Sequence, residues 1–127
     1  MTTVAINIDS LKKQLRGNWI NSGDEKLILT PTDNNLLIGR FEKLLDPEKG
    51  KEQFEIIGYY QENFLSFMVD LSDYGFSISW IGNLKNETPD SVIEAQWTIM
   101  QNATARSNSK KYCDGFFSGK KYFKKVR

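Results

Sequence analysis

Apolar and polar residues alternate in eight separate stretches of this chain, and turn-forming residues lie between them. Alternation with a period of two predicts strands that bury one face. The strands are predicted at 16–22, 25–31, 36–45, 53–61, 64–71, 76–83, 91–101 and 116–126. Most of them contain a glycine or a tryptophan, as in Gly17-x-Trp19, Gly39, Gly58, Trp80-Ile81-Gly82, Trp97 and Gly119-x-x-x-Phe123. This is typical of a small closed barrel, since glycine lets a strand bend and tryptophan fills the interior.

The connections predict how the strands are arranged. Thr32–Asn35 suits a tight hairpin, Asp46–Gly50 reads as a longer polar loop, and 102–115 is the longest connection. Short connections favour antiparallel neighbours, and closing the sheet removes the edges that an open sheet would expose. We therefore predict an all-β fold, an eight-stranded antiparallel up-and-down β-barrel. Its interior is either packed solid or holds one small ligand.

The first residues of the chain do not alternate. Asp9 or Ser10 suits the cap of a short helical turn that runs through Leu15, with Leu11 and Leu15 on one face. We predict that residues 1–14 form an N-terminal arm and that residues 15–127 form the barrel domain.

Composition narrows the classes of function. The chain has 127 residues, 39% of them hydrophobic and 26% charged, which indicates a soluble domain with a real core. Histidine is absent and Cys113 is the single cysteine, so no histidine-based triad, metal spacing or internal disulfide is present. We expect no enzyme activity, no cofactor and no bound metal. Met1–Gln14 has no apolar run of signal-peptide length, so the sequence as written predicts a cytoplasmic location, or secretion if a signal has been removed.

Lysine is concentrated near the end of the chain, although the net charge is only +1. The lysines of 110–127 alternate with aromatic residues, an arrangement that also occurs where proteins bind single-stranded nucleic acid. The alternative hypothesis is therefore a small basic barrel that binds such a nucleic acid, or another anion, through its last strand. Strand alternation weakens it, because Tyr122 and Phe123 cannot both face outward.

Motifs in strand order resemble one known family. Gly17-x-Trp19-x-Asn21 matches a G-x-W-x-N pattern in the first strand, Ser79-Trp80-x-Gly82-Asn83 resembles T-W-x-G-Q, and Gly119-x-x-x-Phe123 matches G-x-x-x-F. Together with Gly39, Gly58 and Gln96-Trp97, these motifs resemble the avidin/streptavidin family over about residues 15–126. The resemblance implies the same barrel, biotin as the family's ligand, no membrane contact and a homo-oligomer, dimer or tetramer.

The resemblance also implies where a ligand would lie. The family holds the ureido ring of biotin with small polar side chains and stacks the ligand between tryptophans. The matching positions, which we expect to line the pocket, are Trp19, Asn21, Glu25, Phe41, Lys43, Leu71, Phe76, Ile78, Trp80, Trp97 and Lys121. Of the family's contact residues, Asn21, Trp80 and Trp97 are retained.

The other contact positions differ in chemistry from the family pattern. Glu25 and Lys43 replace serines, and Lys121 replaces an acidic residue that accepts a ureido N–H in streptavidin. The remaining changes remove a tyrosine hydroxyl, a tryptophan, a serine, a threonine and the tryptophan donated by a neighbouring subunit, at Phe41, Leu71, Phe76, Ile78 and Cys113, respectively. An N–H group that faces a second donor is left unpaired, at a cost of about 1–3 kcal/mol. We therefore expect weak or absent biotin binding, with another small molecule or a protein partner as the ligand.

Three charged residues are in phase with inward-facing neighbours. Glu25 shares the phase of Leu27, Lys43 that of Phe41, and Lys121 that of Phe123. A buried charge is tolerated when it is paired, so we predict that Glu25 pairs with Lys121 and with Lys43 at the open end of the barrel. A role in binding a ligand and an outward, solvated position are the two alternatives.

Overall fold

The computed structural model describes residues 8–86, 91–101 and 116–126. One helix precedes eight strands: α1 (Ile8–Leu15), β1 (Gly17–Ile20), β2 (Lys26–Pro31), β3 (Leu36–Asp46), β4 (Gly50–Gln61), β5 (Phe64–Leu71), β6 (Phe76–Asn86), β7 (Ser91–Gln101) and β8 (Phe116–Lys125). A 3₁₀ turn at Ser72–Tyr74 joins β5 to β6. The predicted 102–115 connection, which contains Cys113, lies outside the described residues.

The eight strands form a closed barrel in sequence order. Each strand pairs antiparallel with the next, and β8 returns to β1 through the pairs Trp19↔Lys125 and Ile20↔Lys124. This confirms the predicted eight-stranded antiparallel up-and-down barrel.

Two strands are longer than the alternation predicts. β4 begins at Gly50 instead of 53, and β6 runs to Asn86 instead of 83. The prediction of a long loop at 46–50 was wrong, because Asp46 closes a tight turn by accepting a hydrogen bond from the Lys49 amide at 3.0 Å. Gly50 has a φ of 73°, which glycine adopts without strain, and the pair Asp46↔Gly50 extends the ladder.

Alternation fixes which side chains face inward. Along β5 exposed and buried side chains alternate without exception, and the buried ones are Leu65, Phe67, Val69 and Leu71. Gly58 on β4 permits the close approach of β5, because a Cβ there would lie 1.9 Å from the Ser66 carbonyl oxygen. Tight contact between neighbouring strands therefore depends on this glycine.

The helix α1 closes one end of the barrel, where β2 ends and β3 begins. The predicted helical segment does form through Leu15, and Leu11 and Leu15 belong to the buried core. The prediction that Asp9 or Ser10 caps it was wrong, because the helix begins at Ile8 and both residues lie in its first turn. The Trp19 indole N–H donates to the Leu15 carbonyl at 2.9 Å. Lys125 donates to the carbonyls of Lys13 and Gln14 at 3.1 and 2.7 Å, which satisfies acceptors at the end of the helix. The boundary predicted at residue 14 stays a prediction, since these contacts join the helix to the barrel.

Candidate ligand-binding site

A cavity of about 240 Å³ lies at the opposite end of the barrel, where β2 begins and β3 ends. Every second residue of a strand faces inward, so the last inward positions of several strands meet here. The lining residues are Glu25, Lys43, Leu45, Leu71, Phe76, Ile78, Trp80, Trp97, Ile99 and Lys121. The cavity therefore combines apolar walls with three charged side chains.

Glu25 is the centre of the charged group. Its side chain is only 3% exposed, and one carboxylate oxygen, Oε1, accepts from Lys121 Nζ at 2.6 Å. The other oxygen, Oε2, accepts from Lys43 Nζ. The predicted inward ion pairing of Glu25 with Lys121 and Lys43 is thus confirmed.

Asn21 positions Glu25 without lining the cavity. Its amide Nδ2 donates to Glu25 Oε1 at 2.7 Å. Its Oδ1 accepts from the backbone amides of Gly23 and Glu25 at 2.9 and 3.0 Å, an Asx-type turn that fixes the chain between β1 and β2. Both ends of the Asn21 side chain are therefore used within the protein.

The surroundings of Glu25 keep it ionised. Burial alone raises the pKa of a carboxyl group, but the hydrogen bonds from Lys121, Lys43 and Asn21 outweigh burial, and the net pKa of Glu25 lies below its usual value. The lining side chains thus carry two positive charges and one negative charge near neutral pH.

The two lysines retain capacity to donate. Each ammonium group has three N–H donors, and one contact from each, to Glu25, is seen among the described residues. Both side chains are 32% exposed, so a ligand or solvent can reach them. Lys121 Nζ also lies 5.8 Å from the centroid of the Trp97 ring, within reach of a cation–π interaction.

Two tryptophans form walls of the cavity. Trp97 lies flat across β8 because its partner there is Gly119, where a Cβ would lie 2.6 Å from the indole ring. Trp80 stacks on Phe67 with centroids 5.9 Å apart and meets Phe123 edge-on at 5.3 Å. Its indole Nε1 is buried and has no hydrogen-bond partner among the described residues.

The structure divides the predicted site residues into two groups. Eight of the predicted residues line the cavity, namely Glu25, Lys43, Leu71, Phe76, Ile78, Trp80, Trp97 and Lys121. Trp19 and Phe41 instead lie in the core, fully buried, and Asn21 stands behind Glu25. Sequence reasoning missed Leu45 and Ile99, although each lies two residues beyond an inward position, Lys43 and Trp97.

The described ranges hold no group of three or more histidine, cysteine, aspartate or glutamate side chains placed so that they could hold a metal ion. Over the same ranges, no helix is both long and apolar enough to cross a membrane.

Comparison with known proteins agrees with the barrel and its motifs. The sequence model of the avidin family matches residues 9–125. The chain belongs to the avidin family. This confirms the resemblance drawn from the glycine and tryptophan motifs.

Solved structures of avidin-like proteins share the fold at low sequence identity. A rhizavidin–biotin complex superposes with a TM-score of 0.73 and 13% identity, over 99% of this chain and 98% of that one. Intact afifavidin without ligand gives a TM-score of 0.71 and 18% identity, over 89% and 82%. A complex of short afifavidin with biotin gives 0.70 and 19%, over 88% and 89%. None of the curated proteins compared with this sequence matches it.

Proposed function

We propose that this avidin-family chain is a non-enzymatic barrel that binds a small molecule other than biotin. The observation that carries the proposal is the Glu25–Lys43–Lys121 group, which occupies one side of the cavity. The cavity supports a binding role, because it is concave, largely apolar and has a few convergent polar groups. Rhizavidin and short afifavidin have been solved with biotin, so biotin is the ligand to test first.

The polar groups of the cavity do not suit a ureido ring. A ureido ring needs acceptors for two N–H groups, whereas Lys43 and Lys121 only donate. The Glu25 oxygens already accept three hydrogen bonds from side chains of this protein. Each ureido N–H left unpaired costs about 1–3 kcal/mol, so the affinity for biotin is expected to fall by orders of magnitude.

Calorimetric titration with biotin tests this part of the proposal. We expect no binding tighter than micromolar, with rhizavidin as the positive control. Glu25→Ser combined with Lys121→Asp should improve biotin binding by more than the sum of the two single changes. The reason is that the carboxylate introduced at position 121 can accept a ureido N–H only when it no longer lies against the carboxylate of Glu25. Sub-micromolar affinity in the unmodified protein, or strictly additive effects, would count against it.

The outer face of the barrel supports a homo-oligomer. Large apolar side chains are exposed on adjacent strands from β3 to β6, and the strand register makes them neighbours; they are Ile38, Ile57, Tyr59, Phe64, Met68 and Ile81. We propose that this face packs against a second copy of the chain, because contiguous apolar patches on soluble proteins mark interaction surfaces.

Light scattering coupled to size-exclusion chromatography tests the oligomer. Ile57→Glu should lower the measured mass, since Ile57 is 60% exposed and lies between Ile38 and Met68 in the register. Leu44→Glu is the matched control, because Leu44 is 50% exposed and lies outside this patch. A monomeric unmodified protein would overturn the proposal.

Binding of single-stranded nucleic acid is the less supported alternative. Phe117 and Tyr122 are exposed on β8 beside Lys120 and Lys124, but Phe123 is fully buried and is not available for stacking. We expect a fluorescently labelled oligonucleotide to show no saturable binding at moderate salt. Saturable binding that Tyr122→Ala abolishes would favour the alternative instead.

A further inference from the structure

We infer that the ligand of this cavity is a small organic anion, an aromatic carboxylate or one of similar shape, whose acidic group is held by Lys43 and Lys121. This inference rests on the proposed binding function and adds the class of ligand. It comes from the balance of charge, the balance of hydrogen-bond groups and the size of the cavity.

The charge balance favours an anion. Glu25 is buried and contacts both ammonium groups, so the three charged residues that line the cavity have a surplus of one positive charge. Glu52, the register partner of Lys43 on β4, is not part of the lining, and its carboxylate accepts a hydrogen bond from the Tyr74 hydroxyl. Both lysines are partly removed from water, which makes that surplus more costly than on an open surface. A ligand with one negative charge would neutralise the group, whereas a cation would increase the imbalance.

Glu25 also limits how the anion is held. Its carboxylate would repel a ligand carboxylate at close range, so the acidic group must approach the lysines on the sides that face away from Glu25. Lys43 and Lys121 contact different oxygens of Glu25 and so approach it from separate strands, β3 and β8. An acceptor with two oxygens can therefore take one N–H from each lysine.

The hydrogen-bond balance also favours a ligand that only accepts. Each lysine ammonium group has three N–H donors, and one contact from each, to Glu25, is seen among the described residues. The lining carboxylate of Glu25, by contrast, already accepts three hydrogen bonds from side chains. The cavity therefore presents two donor groups with unfilled capacity, whereas the buried indole N–H of Trp80 is enclosed within the wall.

The shape of the cavity restricts the rest of the ligand. Its volume of about 240 Å³ is small beside the pockets that hold drug-sized molecules. The apolar walls include the aromatic rings of Trp97 and Phe76, with Ile78, Ile99 and Leu71 around them. A single planar ring that carries one carboxylate fits these walls better than a long aliphatic chain or a sugar.

Paired titrations of benzoate, neutral benzamide and cationic benzamidine test this inference. These probes share a ring and differ in charge, so differences in affinity report on the charged group. We expect benzoate to bind at least about tenfold more tightly than benzamide, and benzamidine to bind more weakly than both. Intrinsic tryptophan fluorescence and calorimetry measure the affinities.

Variants locate the binding. Lys43→Met with Lys121→Met should abolish the preference for benzoate over benzamide, and the same variant with Glu25→Leu added leaves no buried carboxylate without a partner. Lys121→Arg keeps the positive charge and should keep the preference for benzoate. It therefore shows whether the methionine variants lose the preference because the charge is removed or because the fold is disturbed. Lys120→Met, an outward neighbour on β8, is the control and should change nothing.

A direct spectroscopic readout accompanies the titrations. The chain has three tryptophans, so its indole N–H groups give three resolvable nitrogen–proton resonances, and Trp80→Phe identifies that of Trp80. Benzoate should shift this resonance, because the Trp80 ring forms part of the cavity wall.

The outcomes separate the two proposals. Equal binding of benzoate and benzamide in the cavity would overturn the anion inference and leave the binding function standing. A benzoate preference that survives in the Lys43→Met, Lys121→Met variant would also overturn it, since the anion would then bind elsewhere. If no probe binds and no tryptophan resonance moves, the inference and the proposed binding function both fail.

Discussion

The two ends of this barrel have the same strand pattern but opposite interiors. At the helical end, α1 covers tightly packed side chains, and the polar atoms there find partners within the protein: Trp19 donates to Leu15, and the Tyr60 hydroxyl donates to the Thr32 carbonyl. At the other end, the ion-paired side chains of Glu25, Lys43 and Lys121, here called the ion group, line a cavity. The buried indole N–H of Trp80, in the wall of that cavity, has no partner among the described residues. The comparison separates the part of the interior that stabilises the fold from the part that is available for binding.

The difference shows how charge can mark a site. Alternation alone would have placed apolar residues at the positions of Glu25, Lys43 and Lys121, as it does at Leu27 and Phe123. Buried ion pairs contribute little net stability relative to well-packed apolar residues of similar volume. The proposed anionic ligand would account for inward charges that the stability of the core does not require.

The largest expected effect is at the helical end. Leu15→Ala removes a fully buried side chain between α1 and β1 and should lower the free energy of unfolding by about 2–5 kcal/mol. Leu45→Ala, at the partly exposed cavity wall, should cost less than about 1.5 kcal/mol, since the site already borders open space. Urea denaturation measures both, and equal losses would contradict the comparison.

The next effect concerns the ion group. Glu25→Gln leaves Lys43 and Lys121 without their counter-charge and should destabilise the protein by about 1–3 kcal/mol, less than for a fully buried pair because both lysines are partly exposed. Replacing all three residues, with Glu25→Leu, Lys43→Met and Lys121→Met, should recover most of that loss. Failure of the triple variant to recover stability would show that the ion group supports the fold itself.

The pH dependence of stability should identify the same carboxylate. Because the pKa of Glu25 is lower in the folded protein than in the unfolded chain, its stabilising contribution is complete above the unfolded value near 4.5. The contribution is lost as the pH falls through the folded pKa. The stability difference between the unmodified protein and Glu25→Gln should therefore stay constant above the unfolded pKa near 4.5 and shrink as the pH falls below it. A difference that does not change with pH would mean that Glu25 is not ionised in the fold.

The smallest effect compares two buried tryptophans. Trp19→Phe and Trp80→Phe remove a similar volume, but among the described residues the indole N–H of Trp19 has a partner, the Leu15 carbonyl at 2.9 Å, and that of Trp80 has none. Trp19→Phe should therefore cost about 1 kcal/mol more than Trp80→Phe in chemical denaturation. Equal costs would mean that the Trp80 N–H does have a partner in solution.

Much of this organisation was open to prediction from the sequence. The alternation predicted eight strands, and the motifs around Trp19, Trp80 and Gly119 predicted the family. The inward phase of Glu25, Lys43 and Lys121 was also correct, since a strand presents every second side chain to the same face. The turn after Asp46 was predicted too long, because polar residues there suggest a loop as readily as an exposed strand end.

The sequence by itself determined which residues form strands, which face each side chain takes and which contact positions differ from the family pattern. The tertiary structure decided how far along the barrel each inward residue lies, and therefore that Trp19 and Phe41 belong to the core while Leu45 and Ile99 line the cavity. It also brought Glu25 to Lys121, which is 96 residues away along the chain. The physical reason is that a period of two specifies a face, whereas depth and partners depend on the register of all eight strands once the barrel closes.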